Sequence, residues 1–445
     1  MINQKKLIYR GIHMNNKTLP VAIIGGGPVG TAAAAHLILR NEPFILFEEG
    51  KDIGTNFLDY GHVRLFSPWE YNIDEAAKAL LKKHHVPLPD KDELPLGAEI
   101  VSRYLKPLTE LPEMKPYIHL KSRVVHVGKK GFDKTKTKGR DQSPFILHVK
   151  ADNAEEKRYE AKAVIDATGT WQNPNPISAD GIITDEEKRA FKQIYYGIPD
   201  VLNRDRERYL NKTVAVVGSG HSAIHTLLDL ARLKQQNANT NIIWILRKEQ
   251  VAEAFGGEEN DQLPARGELG LRLRKTLESG SITVFPSMFI QSVSFGQDGK
   301  LRMIGLQHQQ QKKLENIDEI IANTGARPDF RFLKEVRHTF DPALECVPDL
   351  AELIDPNIHS CGTVRPHGEK ELRQPEKNFY IIGSKSYGRA PTFLLATGYE
   401  QARSVTAHIT GDKESAKRVE LKLPETGVCK LTSPSSDTGS ACCSD

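Results

Sequence analysis

A chain of 445 residues, 39% hydrophobic and 27% charged, is long enough for two or three globular domains with ample core. Its 61 Lys+Arg against 57 Asp+Glu leave a net charge of only +4, too little for a nucleic-acid surface. Five cysteines, three of them in the last 17 residues, exclude a secreted disulfide framework and favour a reducing cytoplasm.

Residues 1–13 are polar and lack the apolar core of a cleavable signal; with Met14 just ahead of the first strand, they read as an upstream extension or as a start placed too early. The uncharged stretch 19–39 holds three consecutive glycines and a proline, so it reads as a strand, loop and helix instead of a membrane span. The β-branched run Val21–Ile24 leads into Gly25-Gly26-Gly27-Pro28-Val29-Gly30, and an apolar helix is expected over 29–40. Strand Phe44–Phe47 then delivers Glu48 at about the 20-residue spacing at which an acid meets a ribose diol. In this setting the glycines let backbone approach a pyrophosphate, and the helix N-terminus offers unpaired N–H groups with partial positive charge.

Segments 123–127 and 145–150 alternate and suggest an antiparallel excursion, while Lys129-Lys130 and Lys134 to Lys138 read as solvated loop. A buried strand at 163–166 runs into Ala167-Thr168-Gly169, and the Pro/Asn-rich 173–176 with the polar stretch to Tyr209 reads as linker. A second strand–loop–helix begins at Thr213 and contains Gly218-Ser219-Gly220-His221-Ser222-Ala223. Its next strand, 242–246, ends in Arg247-Lys248 and not in an acid. A carboxylate there would repel a 2′-phosphate, whereas arginine can clamp one, so NADPH is expected over NADH. Strands Ile282–Phe285, 291–295, 303–308 and 317–322 follow, and the last closes on Asn323-Thr324-Gly325, a copy of the first Thr-Gly turn. A final buried strand reaches Gly383, a helix is expected from Pro391 to Ile409, and beyond Gly411 the chain turns polar.

This layout resembles the flavoproteins with two dinucleotide-binding domains, the group of glutathione-reductase-like enzymes and flavin-containing monooxygenases. The resemblance implies an α/β fold of two Rossmann-like domains, the second inserted into the first. Residues 14–175 and 320–411 would form the FAD-binding domain, 205–319 the NADPH-binding domain, and 412–445 a flexible cysteine-containing tail. By the same likeness Gly25, Gly27, Gly30 and Glu48 hold FAD, and Thr168 and Gly169 lie in the turn linking the domains. Gly218, Gly220, Ser222 and Arg247 hold NADPH; Gly325 opens the second turn ahead of Arg327-Pro328-Asp329. Gly383 meets the flavin ribityl chain, and the helix from Pro391 points at the isoalloxazine.

Two departures narrow the chemistry. Disulfide reductases of the group carry Cys-x4-Cys soon after the first acid or Cys-x-x-Cys in the second domain, and neither 53–62 nor 213–255 contains a cysteine. The F-x-G-x-x-x-H signature of some monooxygenases has its nearest match at Tyr195 to Val201, with valine in place of histidine. The resemblance therefore implies an NADPH-using flavin monooxygenase that oxygenates a small soft nucleophile with O2 through a flavin peroxide. Gly61–Trp69 and Lys385–Thr392 resemble a subset encoded with arsenic-resistance genes; Arg64 would then steady the flavin site. His62 reads as a packed or solvated histidine, and Arg365 with His367 as surface loop.

Two alternatives stand beside this. One is a flavin reductase acting on a thiol-bound metal or metalloid, with Cys429, Cys442 and Cys443 as soft ligands folded back or reaching across a homodimer. The other is a non-catalytic redox-sensing flavoprotein.

Overall fold

The computed structural model describes residues 19–151, 155–261, 263–356, 364 and 366–421. Met14, Arg365 and the tail cysteines Cys429, Cys442 and Cys443 lie outside them. Sixteen strands are formed by the described residues: β1 Val21–Ile24, β2 Phe44–Phe47, β3 Ile118–His119, β4 Ser122–Lys129, β5 Phe145–Ala151, β6 Lys157–Ala161, β7 Ala163–Asp166, β8 Ile194–Tyr196, β9 Thr213–Val217, β10 Asn241–Ile245, β11 Ile282–Phe285, β12 Met288–Phe295, β13 Leu301–Gln307, β14 Gln310–Ile317, β15 Glu319–Ala322 and β16 Phe379–Ile381.

Two five-stranded parallel sheets share one spatial arrangement of strands, although edge strand β16 follows the others of its sheet in the chain and edge strand β8 precedes the others of its own. The first runs β16-β7-β1-β2-β3, and the second, read from its other edge, β8-β15-β9-β10-β11. Their central strands are continuous apolar runs because both faces are covered: all four residues of β1 are buried, as are four of the five in β9. Each unit also carries a three-stranded antiparallel sheet, β4-β5-β6 before β7 and β12-β13-β14 before β15. The last strand of the first sheet, β16, comes from beyond the whole second unit, so the second unit interrupts the first.

The crossings between the units are tied to each other. Pro174 forms an antiparallel bridge with Ala326, the Asn175 N–H donates to the Gly325 carbonyl (2.9 Å), and the Arg327 N–H donates to the Asn173 carbonyl (2.9 Å). Asn173 Nδ2 adds a bond to the Pro328 carbonyl at 3.2 Å. The outgoing and returning chains thus form one short two-stranded joint.

Several expectations are corrected. The stretch read as linker contains β8, an edge strand of the second sheet, and a helix Asp185–Arg189 whose Glu187 is buried and accepts from the Ile177 N–H and the Tyr196 hydroxyl. β15 carries the second sheet to Ala322, past the boundary expected at 319. Lys129 is buried, its ammonium 3.6 Å from the Phe145 ring centroid, and burial pushes its pKa down to about 8. The expected tail begins with helix Lys413–Lys417, held by Arg403 donating to the Ser415 carbonyl (2.8 Å) and by the Arg40–Asp412 ion pair (3.0 Å). The helix expected from Pro391 starts at Leu395, with Leu394 extended as its N-cap and the Phe393 ring packed on Tyr387 just before it.

Candidate functional site

The two glycine loops are the same object built twice. Gly25 has φ +105° and a Cβ there would lie 2.6 Å from the Ala167 carbonyl oxygen; Gly218 has φ +131° and a Cβ would lie 2.3 Å from that of Asn323. No side chain fits between loop and neighbouring strand at either position. Gly25 donates to the Phe47 carbonyl at 2.8 Å, and Gly218 to that of Ile245 at 3.0 Å. Two residues on, a Cβ on Gly27 or Gly220 would meet nothing within 4 Å. Each of these open glycines is the N-cap of a helix, Pro28–Leu39 or His221–Gln236, with no side-chain cap and no acid in its first turn. Uncapped N–H groups facing open space suit a diphosphate, so the residues present fit the dinucleotides that the sequence implies. Gly30 serves packing instead: a Cβ would sit 2.0 Å from the Gly25 carbonyl oxygen. In the second loop, buried Ala223 fills the equivalent position, and Ser222 accepts from the Thr226 hydroxyl through its carbonyl at 3.0 Å.

The strands after the two helices end with opposite charge. Glu48 accepts from the N–H of Gly26 (2.6 Å) and of Gly50 (2.7 Å), which fixes the carboxylate beside the first loop. Burial raises its pKa above the ordinary carboxylate value, while those two N–H groups pull it down. In the second unit buried Leu246 is in register with Glu48; one residue further Arg247 is exposed, and Lys248 donates to the Glu253 carbonyl.

Gly25, Gly27, Glu48, Thr168, Gly169 and Gly383 line one cavity of about 270 Å³, together with Phe57, Tyr60, Trp171 and Phe393. Trp171 is pinned by its Nε1–H to Asp59 (3.0 Å) and packs on Tyr60 at 4.6 Å between centroids. Behind this wall, Lys385 donates to Asp166 (2.6 Å), the Thr168 hydroxyl (3.1 Å) and the Asp329 carbonyl (2.7 Å). One ammonium therefore binds the end of β7, the first Thr-Gly turn and the returning crossing.

Gly383 is held from the other side. Its N–H donates to Gln401 Oε1 at 2.7 Å, and Gln401 Nε2 donates to His367 Nε2 at 2.9 Å. An amide nitrogen only donates, so His367 Nε2 is the acceptor. His367 is thus a buried member of the scaffold and not part of a surface loop.

Arg64 departs from its expected place. It forms an isolated antiparallel bridge with Leu96, is exposed, and donates to the Leu94 carbonyl at 2.5 Å. Pairing there leaves the guanidinium at the surface, and it is not among the residues lining the cavity.

Segment 61–72 of the first unit reaches the second loop. Phe66 packs on His221, the first residue of the second loop's helix, with centroids 5.2 Å apart, and Arg266 lies over the same Phe66 ring. His62 Nε2 is buried without a hydrogen-bond partner among the described residues. Burial pushes His221 and His225 down to about 4.

The sequence does not single out Trp171 or Gln401, and it marks Lys385 and His221 only as members of a flavin-site loop and of the second glycine loop, with no role of their own. A glutamine in the middle of an apolar helix, and an aspartate ending a buried strand just before Ala167-Thr168-Gly169, were the signals available.

Duplicated parallel sheets, two open glycine loops and opposite charges after their helices define an oxidoreductase built to hold two dinucleotides, a flavin and a pyridine nucleotide. The family model for pyridine nucleotide-disulphide oxidoreductases matches residues 22–352, and the chain belongs to that family. It is 29% identical over 211 residues to a ferredoxin–NADP reductase of Lactiplantibacillus plantarum, covering 47% of this chain and 50% of that protein. The chain thus spans about half the length of this curated relative. Among solved structures it is similar to the bacillithiol disulfide reductase of Bacillus cereus, at 17% identity, TM-score 0.62, 88% of this chain and 98% of that one. The cadaverine monooxygenase of desferrioxamine biosynthesis from Erwinia amylovora gives 11% identity, TM-score 0.61, 95% of this chain and 100% of that one. These structural likenesses are of fold. No helix among the described residues is long and apolar enough to cross a membrane.

Proposed function

We propose that this protein is an FAD- and NADPH-dependent monooxygenase that oxygenates a small soft nucleophile in a reducing cytoplasm. The observation that carries this reading is the pairing of two open glycine cradles with the absence of any cysteine from 53–62 and 213–255, where a disulfide relay would need its dithiol. The buried Cys346 is no substitute, since burial pushes its thiol up to about 12, where thiolate is scarce.

The first loop, with Gly27 open and the helix N–H groups behind it, would hold the flavin diphosphate; Glu48 would accept from the adenosine ribose. The second loop, with Gly220 open, would hold the nicotinamide cofactor, and Arg247 would clamp its 2′-phosphate. Bound flavin supplies hydride acceptance and oxygen activation. The protein orients and dries the site: Phe57, Tyr60, Trp171 and Phe393 wall off water, and Gln401 fixes the turn at Gly383.

The test is NADPH consumption under 18O2 with methyl phenyl sulfide. One 18O in the sulfoxide per NADPH consumed supports the reading; no sulfoxide, together with NADPH-driven reduction of a low-molecular-weight disulfide, overturns it. Cys442→Ser with Cys443→Ser leaves the rate unchanged on this reading and abolishes it on the thiol-relay alternative.

A further inference from the structure

A second cavity, of about 250 Å³, adjoins the first. Phe57, Tyr60, Phe393 and Leu395 line both, so the two meet across a shared aromatic and aliphatic wall. The far side of the second cavity comes from Leu65 and Phe66 of the first unit and Leu263 of the second. We propose that this chamber binds the substrate and admits only small uncharged apolar molecules, excluding amines and carboxylates.

The argument rests on what the walls lack. Among the described residues, no Lys, Arg, His, Asp or Glu lines the chamber. Two ionic groups beside the wall are already engaged: Arg266, over the Phe66 ring, pairs with Asp261 at 2.7 Å, and Glu70 is hydrogen-bonded to the Tyr71 side chain. The polar wall residues are largely satisfied within the wall: Asn72 donates to the Ser67 carbonyl (2.7 Å) and the Pro68 carbonyl (2.9 Å), and the Ser67 hydroxyl meets Asn72 Oδ1 at 3.2 Å. An ammonium or carboxylate entering here gives up its hydration without gaining a counter-charge, whereas a thioether or arene loses little. Segment 67–72 is also anchored from behind, where the Asn72 carbonyl accepts from the buried Tyr399 hydroxyl at 2.8 Å.

The inference rests on the monooxygenase reading for the word substrate, but binding can be measured by itself. FAD-loaded full-length protein is titrated with methyl phenyl sulfide, 1,5-diaminopentane and 4-(methylthio)benzoate by ligand-observed saturation-transfer NMR. The neutral thioether is expected to bind at least about tenfold more tightly than either charged probe. Leu65→Trp, filling the chamber, should lower thioether affinity about tenfold, and Leu65→Lys should create affinity for the benzoate. FAD content and circular dichroism report whether these variants fold; if they do not, the selectivity of the unmodified protein decides. Equal binding of the three probes overturns the chamber, as does a folded Leu65→Trp with undiminished thioether affinity. Selective binding without 18O transfer sinks the monooxygenase reading alone, and transfer without selectivity sinks the chamber alone.

Discussion

Lys385 Nζ and Asp166 Oδ2 lie 2.6 Å apart with both side chains wholly buried. Two charges have been taken out of water to join β7, the first Thr-Gly turn and the returning crossing at one point. Such a pair adds little net stability over an apolar substitute, but removing one member strands the other. Lys385→Met is therefore expected to cost about 3–5 kcal/mol in urea unfolding, and the double variant with Asp166→Asn should recover part of that loss. A single variant as stable as the parent would show that the charge finds another partner or water.

The glycine loops separate folding from ligand binding. A methyl group at Gly27 meets nothing within 4 Å, so Gly27→Ala should fold with a change within about 1 kcal/mol. It would nevertheless occupy the space that a diphosphate needs, and FAD content after purification should fall severalfold. Gly30→Ala would place a methyl 2.0 Å from the Gly25 carbonyl oxygen, so its melting temperature should drop whether or not flavin is present. Both variants losing stability equally would contradict the division of roles.

Arg247 stands exposed one position beyond Leu246, the buried residue in register with Glu48 of the first unit. Arg247→Glu should weaken NADPH binding about 10- to 100-fold through lost clamping and added repulsion, with little change for NADH. Steady-state KM values for both coenzymes check this; equal losses would remove the 2′-phosphate assignment.

Much of the frame was legible because a buried parallel strand, a Gly-rich turn and an apolar helix each leave a local trace. β1, β2, β11 and both loops could be placed from such traces. What was not legible depends on partners far away in the chain. β8 is three residues long and counts as a strand only because β15 lies beside it. Lys385 acquires its role from Asp166, 219 positions earlier, and His367 from Gln401, 34 positions later. Arg64 looked suited to an active site by type, but its bridge to Leu96 sends it to the surface. Chemistry of residue type is local; direction of a side chain is not.

The histidines at the second loop give the fold an acid limit. His221 is held near 4 by burial and then by Arg266 and Lys248, with Asp261 opposing; His225 is held near 4 by burial and then by His221, Arg272, His62 and Arg232. Both values lie below the ordinary histidine value of 6.5, so the folded protein keeps these rings neutral while the unfolded chain protonates them. The unfolded state then binds more protons, and stability is lost as pH falls from about 6.5 towards about 4. Each extra proton costs about 1.4 kcal/mol per pH unit across that window. Glu113, lowered to about 2 with help from bonds to His84 and Lys83, acts in a separate window: its contribution is lost only below its ordinary 4.5. Melting temperature should therefore begin to fall by several degrees between pH 6.5 and 4.5, before that carboxylate titrates. His221→Gln and His225→Gln should each flatten that part of the profile. A variant profile parallel to the parent's over the same range would show that these rings are hydrated in solution and do not set the limit.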